Sequence, residues 1–483
     1  LKTSWLKPFI GSAGLSQAAP TIVVFGAIVA CTHLMVSPTT GGSNAKVVLL
    51  FLPIAVFASA GLPCRDRFLE PFSSASIWNV AIGSGARFVP AKLYTAGREP
   101  TQFHNDQDFF LRVTEADPLT PWVHQGDWSG DNHCKVTGPI VSYIRFPRDW
   151  TSGDDGGRSA PGQSNNNAMG VLLPDNRTVV QMQPAYRCAP GSPLLARFGN
   201  STDGCPQQFP NETDVFGDGA LGSHGGSGLS GVGGTIRKGE LLPLAGPIRH
   251  ALKIELQHQW YYGQSKLQPA TAMNGGRGQY VWPATGSDAG TQSAPGGIYE
   301  GTNPFVVPGA LLAIPAELSS SLNTSTTVGG KIKQALVDFG AYIVDDTGAG
   351  NSAAICMEAS VNAEMRATYG YAMTYPHGVS AASDDPGRML YEDLLKLFQA
   401  LHVVANNGPD SIGGGGAPRV PAKPPICGSE DSEPWESYHR RVRDRGDSLS
   451  LHEETELLAP GTSTVAPARV RNGRLSETSM LVV

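Results

Sequence analysis

Charge is what this sequence has least of. Lys, Arg, Asp and Glu make up only 16% of its 483 residues, against about 25% in an average soluble domain. The formal net charge is −6. Without a basic excess there is no broad face to neutralise phosphates, which excludes a dedicated nucleic-acid binder. Several catalytic and metal signatures are also missing. No H-E-x-x-H, P-loop or C-x-x-C occurs, which removes the corresponding zinc, nucleotide and redox classes. Ser227 and Ser230 both lack the second glycine of a nucleophile elbow, so the α/β-hydrolase reading fails. The apolar run Val47–Phe57 is short of the ~20 residues of a membrane span, and a signal anchor would pair it with the apolar run Ile22–Cys31.

Glycine and proline are abundant, at 58 and 37 residues. That composition suits many turns between short strands. Strand-like stretches recur at Phe109–Val113, Ile140–Phe146, Gln279–Trp282, Ala310–Ile314 and Ala341–Val344. Met169–Pro174 and Thr178–Met182 flank Asp175-Asn176 and read as a hairpin. Ile248–Tyr262 alternates in part and reads as a long, half-buried strand. Two helical stripes follow. Ile332, Ala335, Leu336 and Phe339 share one face, with Gly340 suited to the position after the helix. Leu390, Leu394, Leu397, Phe398 and Leu401 form the second stripe. Regular strand–helix alternation is absent over 66–320, which argues against a doubly wound sheet. The expected fold is mainly β, sandwich- or jelly-roll-like, with two or three peripheral helices.

The expected organisation has four parts. Residues 1–60 read as an upstream segment followed by a signal peptide or signal anchor. The first methionine is Met35, Lys46 precedes the apolar run Val47–Phe57, and Ala58-Ser59-Ala60 fits cleavage. Residues 66–408 form the β-rich domain, 409–427 a Gly/Pro linker, and 428–483 a disordered charged tail. The chain is therefore expected to be extracellular, meeting a membrane only if the leader stays uncleaved. Six cysteines follow the leader, an even count that suggests disulfides. Cys188 and Cys205 bracket a short loop and are the first candidate pair. Sequons at Asn176, Asn200, Asn211 and Asn323 fit a glycosylated secretory product.

The candidate site residues are polar clusters. Gly217–Gly234 contains two formal G-x-G-x-x-G matches, but neither has the strand before and helix after that a nucleotide site needs. The segment reads instead as a loop that can approach a ligand, with His224 at its tip. His104-Asn105-Asp106-Gln107-Asp108 is placed before a strand. Hydrolysis of a glycan needs two carboxylates across the bond. Lyase chemistry needs a base and a group to neutralise a uronic carboxylate. His104, Asp106, His224 and Arg237 are the catalytic candidates. His250, His258, Tyr261 and Tyr262 are further lyase candidates, and Asp106, Asp108, Asp131 and Asp345 supply the carboxylate pairs. Asp108 and Asp131 are candidate calcium ligands, against the plainer reading of turn caps. No other cofactor is implied. His250 reads as a buried core histidine. Trp122, Trp128, Trp260 and Tyr262 are candidate sugar-stacking rings.

Four segments, Phe72–Asn79, Gly225–Arg237 with Ile248–Leu252, Tyr280–Ala284 and Tyr342–Asp346, resemble in the same order a family of secreted, functionally uncharacterised β-rich proteins of bacteria and some eukaryotes. The resemblance covers most of 70–410 and implies an extracytoplasmic module that looks carbohydrate-related. It carries over no catalytic residue. The expected function is an extracellular carbohydrate-related protein, a polysaccharide lyase or glycoside hydrolase, with a non-catalytic wall, matrix or filament glycoprotein as the alternative.

Overall fold

The computed structural model describes residues 64–93, 100, 102–124, 134, 138–152, 167–196, 211–263, 280–287, 301–347, 352–373, 375–376 and 384–428. The 1–60 segment and all but the first residue of the 428–483 tail lie outside the described residues. In chain order the elements are β1 (Phe88–Pro90), β2 (Gln102–Arg112), β3 (Leu119–His124), β4 (Ile140–Arg145), β5 (Ala168–Leu172), β6 (Thr178–Met182), β7 (Ala185–Tyr186), β8 (Leu194–Ala196), β9 (Asn211–Asp214), β10 (Leu252–Leu256), α1 (His258–Tyr261), β11 (Leu311–Ala313), α2 (Ala316–Ser319), α3 (Thr327–Asp338), β12 (Ala341–Asp345), β13 (Ser352–Glu358), α4 (Val361–Tyr369), β14 (Tyr375–Pro376), α5 (Pro386–Gln399) and β15 (His402–Val404).

The fold is mainly β. Among the described residues an 11-stranded sheet runs β1-β15-β11-β12-β10-β13-β2-β5-β6-β9, with β14 also on β2, and a 4-stranded sheet runs β4-β3-β8-β7. The large sheet is mixed: β10 pairs parallel to β12, and β2 pairs parallel to both β13 and β5. Its central strands are covered on both faces. Leu252, Ile254 and Leu256 of β10, with Ile343 and Ile355, lie in one cluster with Ile332 and Leu336 of α3, Met365 of α4, and Leu394 and Phe398 of α5. Farther along, Phe109, Met169, Val171 and Val180 face Trp122, Ile144 and Leu194 of the small sheet. This sheet-on-sheet region is the sandwich-like part of the molecule.

The helices are set by local chemistry. Thr326 caps α3 by accepting from the Gly329 N–H. Asp385 caps α5 by accepting from Arg388 N–H, and Pro386 opens that helix where its missing N–H costs nothing. Gly340 follows α3 at φ 77°, as its position after the stripe requires. α3, α4 and α5 are the helices longer than one turn among the described residues.

Five expectations are corrected. Ile248–Tyr262 is not one half-buried strand: β10 spans only Leu252–Leu256, all five residues are buried, and a helical turn follows. His104–Asp108 lies inside β2 rather than before it, because β2 pairs residue for residue with β13 over this stretch. Cys188 bonds to Cys134, not Cys205. β3 and β7 flank β8 in the small sheet, which brings the chain beyond β3 to the chain beyond β7. Cys205 itself lies outside the described residues. Cys64 bonds to Cys427, and Cys356 is a buried free thiol. Finally, 409–427 is packed rather than a linker. Gly413–Gly416 all have positive φ, and their backbone meets that of Gly83 and Gly85 through hydrogen bonds of 2.9 and 2.8 Å. Arg419 donates to the Ile314 carbonyl at 3.0 Å, and Lys423 pairs with Glu70 at 2.9 Å. Tyr280–Trp282 carries no strand.

Candidate functional site

The centre of the large sheet is polar on the face opposite the helices. A strand turns alternate residues to opposite faces. With Leu252, Ile254 and Leu256 facing the helices, Lys253 and Glu255 of β10 face the other way. Register then aligns neighbours: Asp106 of β2 sits opposite Cys356 of β13, and Glu255 opposite Asp345 of β12. These groups gather in one buried cluster.

The Gly-rich segment covers them. His224 N–H donates to Leu229 O at 2.8 Å, and Gly228 N–H donates back to His224 O at 3.0 Å, closing a tight loop. Gly225 N–H donates to the Gln183 side chain, and Ser227 N–H to Val344 O at 3.2 Å. Lys253 Nζ donates to Ser230 O at 3.1 Å. Gly234 has φ 78°, and a Cβ there would lie 2.6 Å from the Trp78 ring and 2.8 Å from Lys253. A side chain at this point would hold the loop off the sheet.

His224 is fully buried. Its Nε2 lies 3.6 Å from Asp106 Oδ2, 3.9 Å from Asp108 Oδ1, 3.8 Å from Glu255 Oε1 and 3.5 Å from Cys356 Sγ. Its Nδ1 lies 3.6 Å from Asp345 Oδ2. Asp108 is held through its other oxygen, Oδ2, by Lys253 Nζ at 2.8 Å and Thr235 Oγ1 at 2.6 Å. Asp106 Oδ2, Asp108 Oδ1 and His224 Nδ1 have no hydrogen-bond partner. Burial, reinforced by the Lys253 ammonium, lowers His224 to about 4. Burial raises Asp108, and burial with repulsion from Asp106 and Asp345 pushes Glu255 well above the usual carboxylate range. The Cys356 thiol is also pushed up by burial and by Asp108.

Of the predicted site residues, Asp106, Asp108, His224 and Asp345 come together here. His104 shares their strand, beside Asp106, and burial holds its imidazole below the ordinary value. Arg237 does not join them. It donates to Glu358 Oε2 at 2.9 Å and to Phe68 O at 2.8 Å, and stacks over Phe68 and Phe110. A guanidinium so engaged clamps the sheet end to the N-terminal segment. Asp131 lies outside the described residues. His258 contacts Asp346 at the strand ends. His250 bonds to Glu240 at 3.1 Å and Ala251 O at 2.9 Å, the buried structural role expected. Trp122 and Tyr262 are buried, which removes them as sugar platforms. Trp260 is half-buried, and Trp128 lies outside the described residues.

Lys253, Glu255 and Cys356 were missed as site residues. A signal existed: central strands with parallel neighbours usually read as continuous apolar runs, and Leu-Lys-Ile-Glu-Leu breaks that rule twice on one face. Asn176 and Asn323 are exposed, Asn211 begins β9, and Asn200 lies outside the described residues. Among the described residues, no helix is long and apolar enough to cross a membrane. No family model matches the chain, and neither does any curated protein or solved structure.

Proposed function

We propose that this chain is a secreted, N-glycosylated carbohydrate-active protein that hydrolyses polysaccharide, with Glu255 as the acid and Asp345 as its partner carboxylate. One observation carries the reading. Oxygens of Glu255 and Asp345 and a nitrogen of His224 all lie within 4.8 Å of one another. Paired carboxyls about 5 Å apart are the arrangement of retaining glycoside hydrolysis, whereas inverting enzymes hold them about 6.5–9.5 Å apart to admit water. Hydrolysis is favoured over elimination because Arg237, the group intended to neutralise a uronic carboxylate, is committed to Glu358. Both carboxyls sit where β10 and β12 end, beside the half-buried His258 and Asp346. Glu255 and Asp345 are only 2% and 5% exposed, so hydrolysis here requires the covering Gly-rich loop to move aside for a glycan. Two disulfides and the exposed Asn176 and Asn323 support an oxidising secretory route.

The test is a panel of neutral and uronic polysaccharides assayed for new reducing ends and for the absorbance of unsaturated products. Reducing ends without that absorbance, and first-formed sugars of retained anomeric configuration, support the reading. Unsaturated products would replace it with a lyase. A second reading, a non-catalytic glycan-binding glycoprotein, is favoured by a separate feature: a surface pocket lined by Tyr280, Trp282, Phe305 and Asn407. Binding to a glycan without cleavage by the folded protein would establish that alternative.

A further inference from the structure

Hydrogen bonds within the buried cluster, between Glu255 and Asp106 and from Cys356 to Glu255, leave part of its polar surface unused. Asp106, Asp108, Glu255 and Asp345 contribute four carboxyl groups, and Lys253 supplies the ammonium paired with one of them. A buried charge without a partner is costly. Two of these carboxyls also leave an oxygen unused. Asp106 is 6% exposed and Asp108 1%, yet Asp106 Oδ2 and Asp108 Oδ1 have no hydrogen-bond partner. Both oxygens point at the same atom, His224 Nε2, at 3.6 and 3.9 Å. Cys356 Sγ faces that nitrogen at 3.5 Å. The two N···O separations are too long for N–H···O bonds, whereas the sulfur contact is within the range of a hydrogen bond. Tetrahedral bonds of about 2.0–2.3 Å place neighbouring donors about 3.3–3.8 Å apart; the separations of 3.5 and 3.6 Å fall in that range and the third, 3.9 Å, is just beyond it.

The geometry points to a divalent transition-metal site of the zinc type, with Asp106 Oδ2, Asp108 Oδ1, His224 Nε2 and Cys356 Sγ as its ligands. The four donors lie within 4.8 Å of one another. An N, S, O, O set selects a borderline ion, whereas calcium takes six to eight oxygens. The supporting groups are in place. Thr235 and Lys253 hold the far oxygen of Asp108 and so turn the near one inward. Asp345 lies against His224 Nδ1, where it would orient the imidazole with Nε2 toward the ion. On binding, the ion takes the thiolate, and the Cys356 proton passes to solvent. This inference stands on the donor set and does not depend on the glycan reading.

The experiment uses the full purified chain. Elemental analysis after dialysis, followed by Co²⁺ titration of protein freed of metal, reads stoichiometry and ligand type. One equivalent of metal and a thiolate-to-cobalt charge-transfer band are expected. Cys356→Ser should abolish that band. Thr235→Val, which removes one supporting hydrogen bond and keeps the side-chain shape, should weaken Co²⁺ binding about 10–100-fold. Folding is checked by circular dichroism. A folded wild-type chain that takes up no Co²⁺ overturns the proposal. So does a site that takes only Ca²⁺, or Co²⁺ binding without the sulfur band. Loss of glycan hydrolysis would leave these readouts untouched, and metal binding with no hydrolysis would count against the glycan reading alone.

Discussion

Lys253 Nζ lies 2.8 Å from Asp108 Oδ2, with both side chains at or below 2% exposure. The pair holds the polar face of the sheet to its Gly-rich cover, because the same ammonium donates to Ser230 O. Removing one partner of such a pair leaves an uncompensated buried charge, which costs about 3–5 kcal/mol. Lys253→Met should therefore lose about that much in urea unfolding, and Asp108→Asn in the same background should restore part of it. Additive losses in that double-variant cycle would show that the two groups do not act as a pair.

Asp393 of α5 is fully buried and accepts from Ser325 N–H, Thr326 N–H and Thr326 Oγ1 at 2.8–3.0 Å. It thus anchors the segment that caps α3. Asp393→Ala strands these donors inside the protein and is expected to cost about 2–4 kcal/mol. Thr326→Ala removes the cap and one of the donors to Asp393 but keeps the two backbone N–H groups paired, and should cost about 1–2 kcal/mol. Equal losses for the two variants, compared by thermal or denaturant unfolding, would contradict this ranking.

The two disulfides close loops of very different size, with sequence separations of 363 and 54 residues. Loop-closure entropy grows slowly with length, so losing Cys64–Cys427 should cost about 1–2 kcal/mol more than losing Cys134–Cys188. Paired Cys→Ser variants in denaturant unfolding give the comparison, and the reverse order would count against it.

Glu240 shows how the fold responds to acid. Burial pushes its carboxyl up, but His250 at 3.1 Å and the Arg237 N–H pull harder, and the net shift is below the ordinary 4.5. A carboxylate lowered by folding binds fewer protons in the native state than in the unfolded one. Its contribution is present above about pH 4.5 and is lost as the pH falls through the native value. Wild type should lose stability relative to Glu240→Gln across that acid range. A pH-independent difference would show that Glu240 adds no such linkage.

Much of the fold was legible in the chain, and the reasons are local. The stripe Ile332–Phe339 with Gly340 after it marked α3, and the stripe from Leu390 to Leu401 marked α5. Both signals come from one element's own face and cap. Met169–Met182 marked the β5–β6 hairpin through its turn residues. The centre of the sheet was less legible because pairing there is non-local. His104–Asp108 shows short-range polarity that resembles a loop, and only register with β13 makes it a buried strand. Lys253 and Glu255 resemble a solvent-facing row until the Gly-rich segment is seen to cover them. His224 and Asp106 were recognisable as chemistry, but no sequence spacing joins residue 224 to residues 106, 255, 345 and 356. Arg237 looked catalytic because a free guanidinium near the loop would be. Its place against Glu358 depends on strand order.

The account rests most directly on Glu255 as the acid. The deciding measurement is the initial rate of reducing-end release from a cleaved polysaccharide by wild type and Glu255→Gln, with both shown to be folded. Loss of a general acid should lower the rate about 10²–10⁴-fold. A Glu255→Gln variant that retains wild-type activity, or a folded wild-type chain that cleaves no glycan in the panel, would contradict the account.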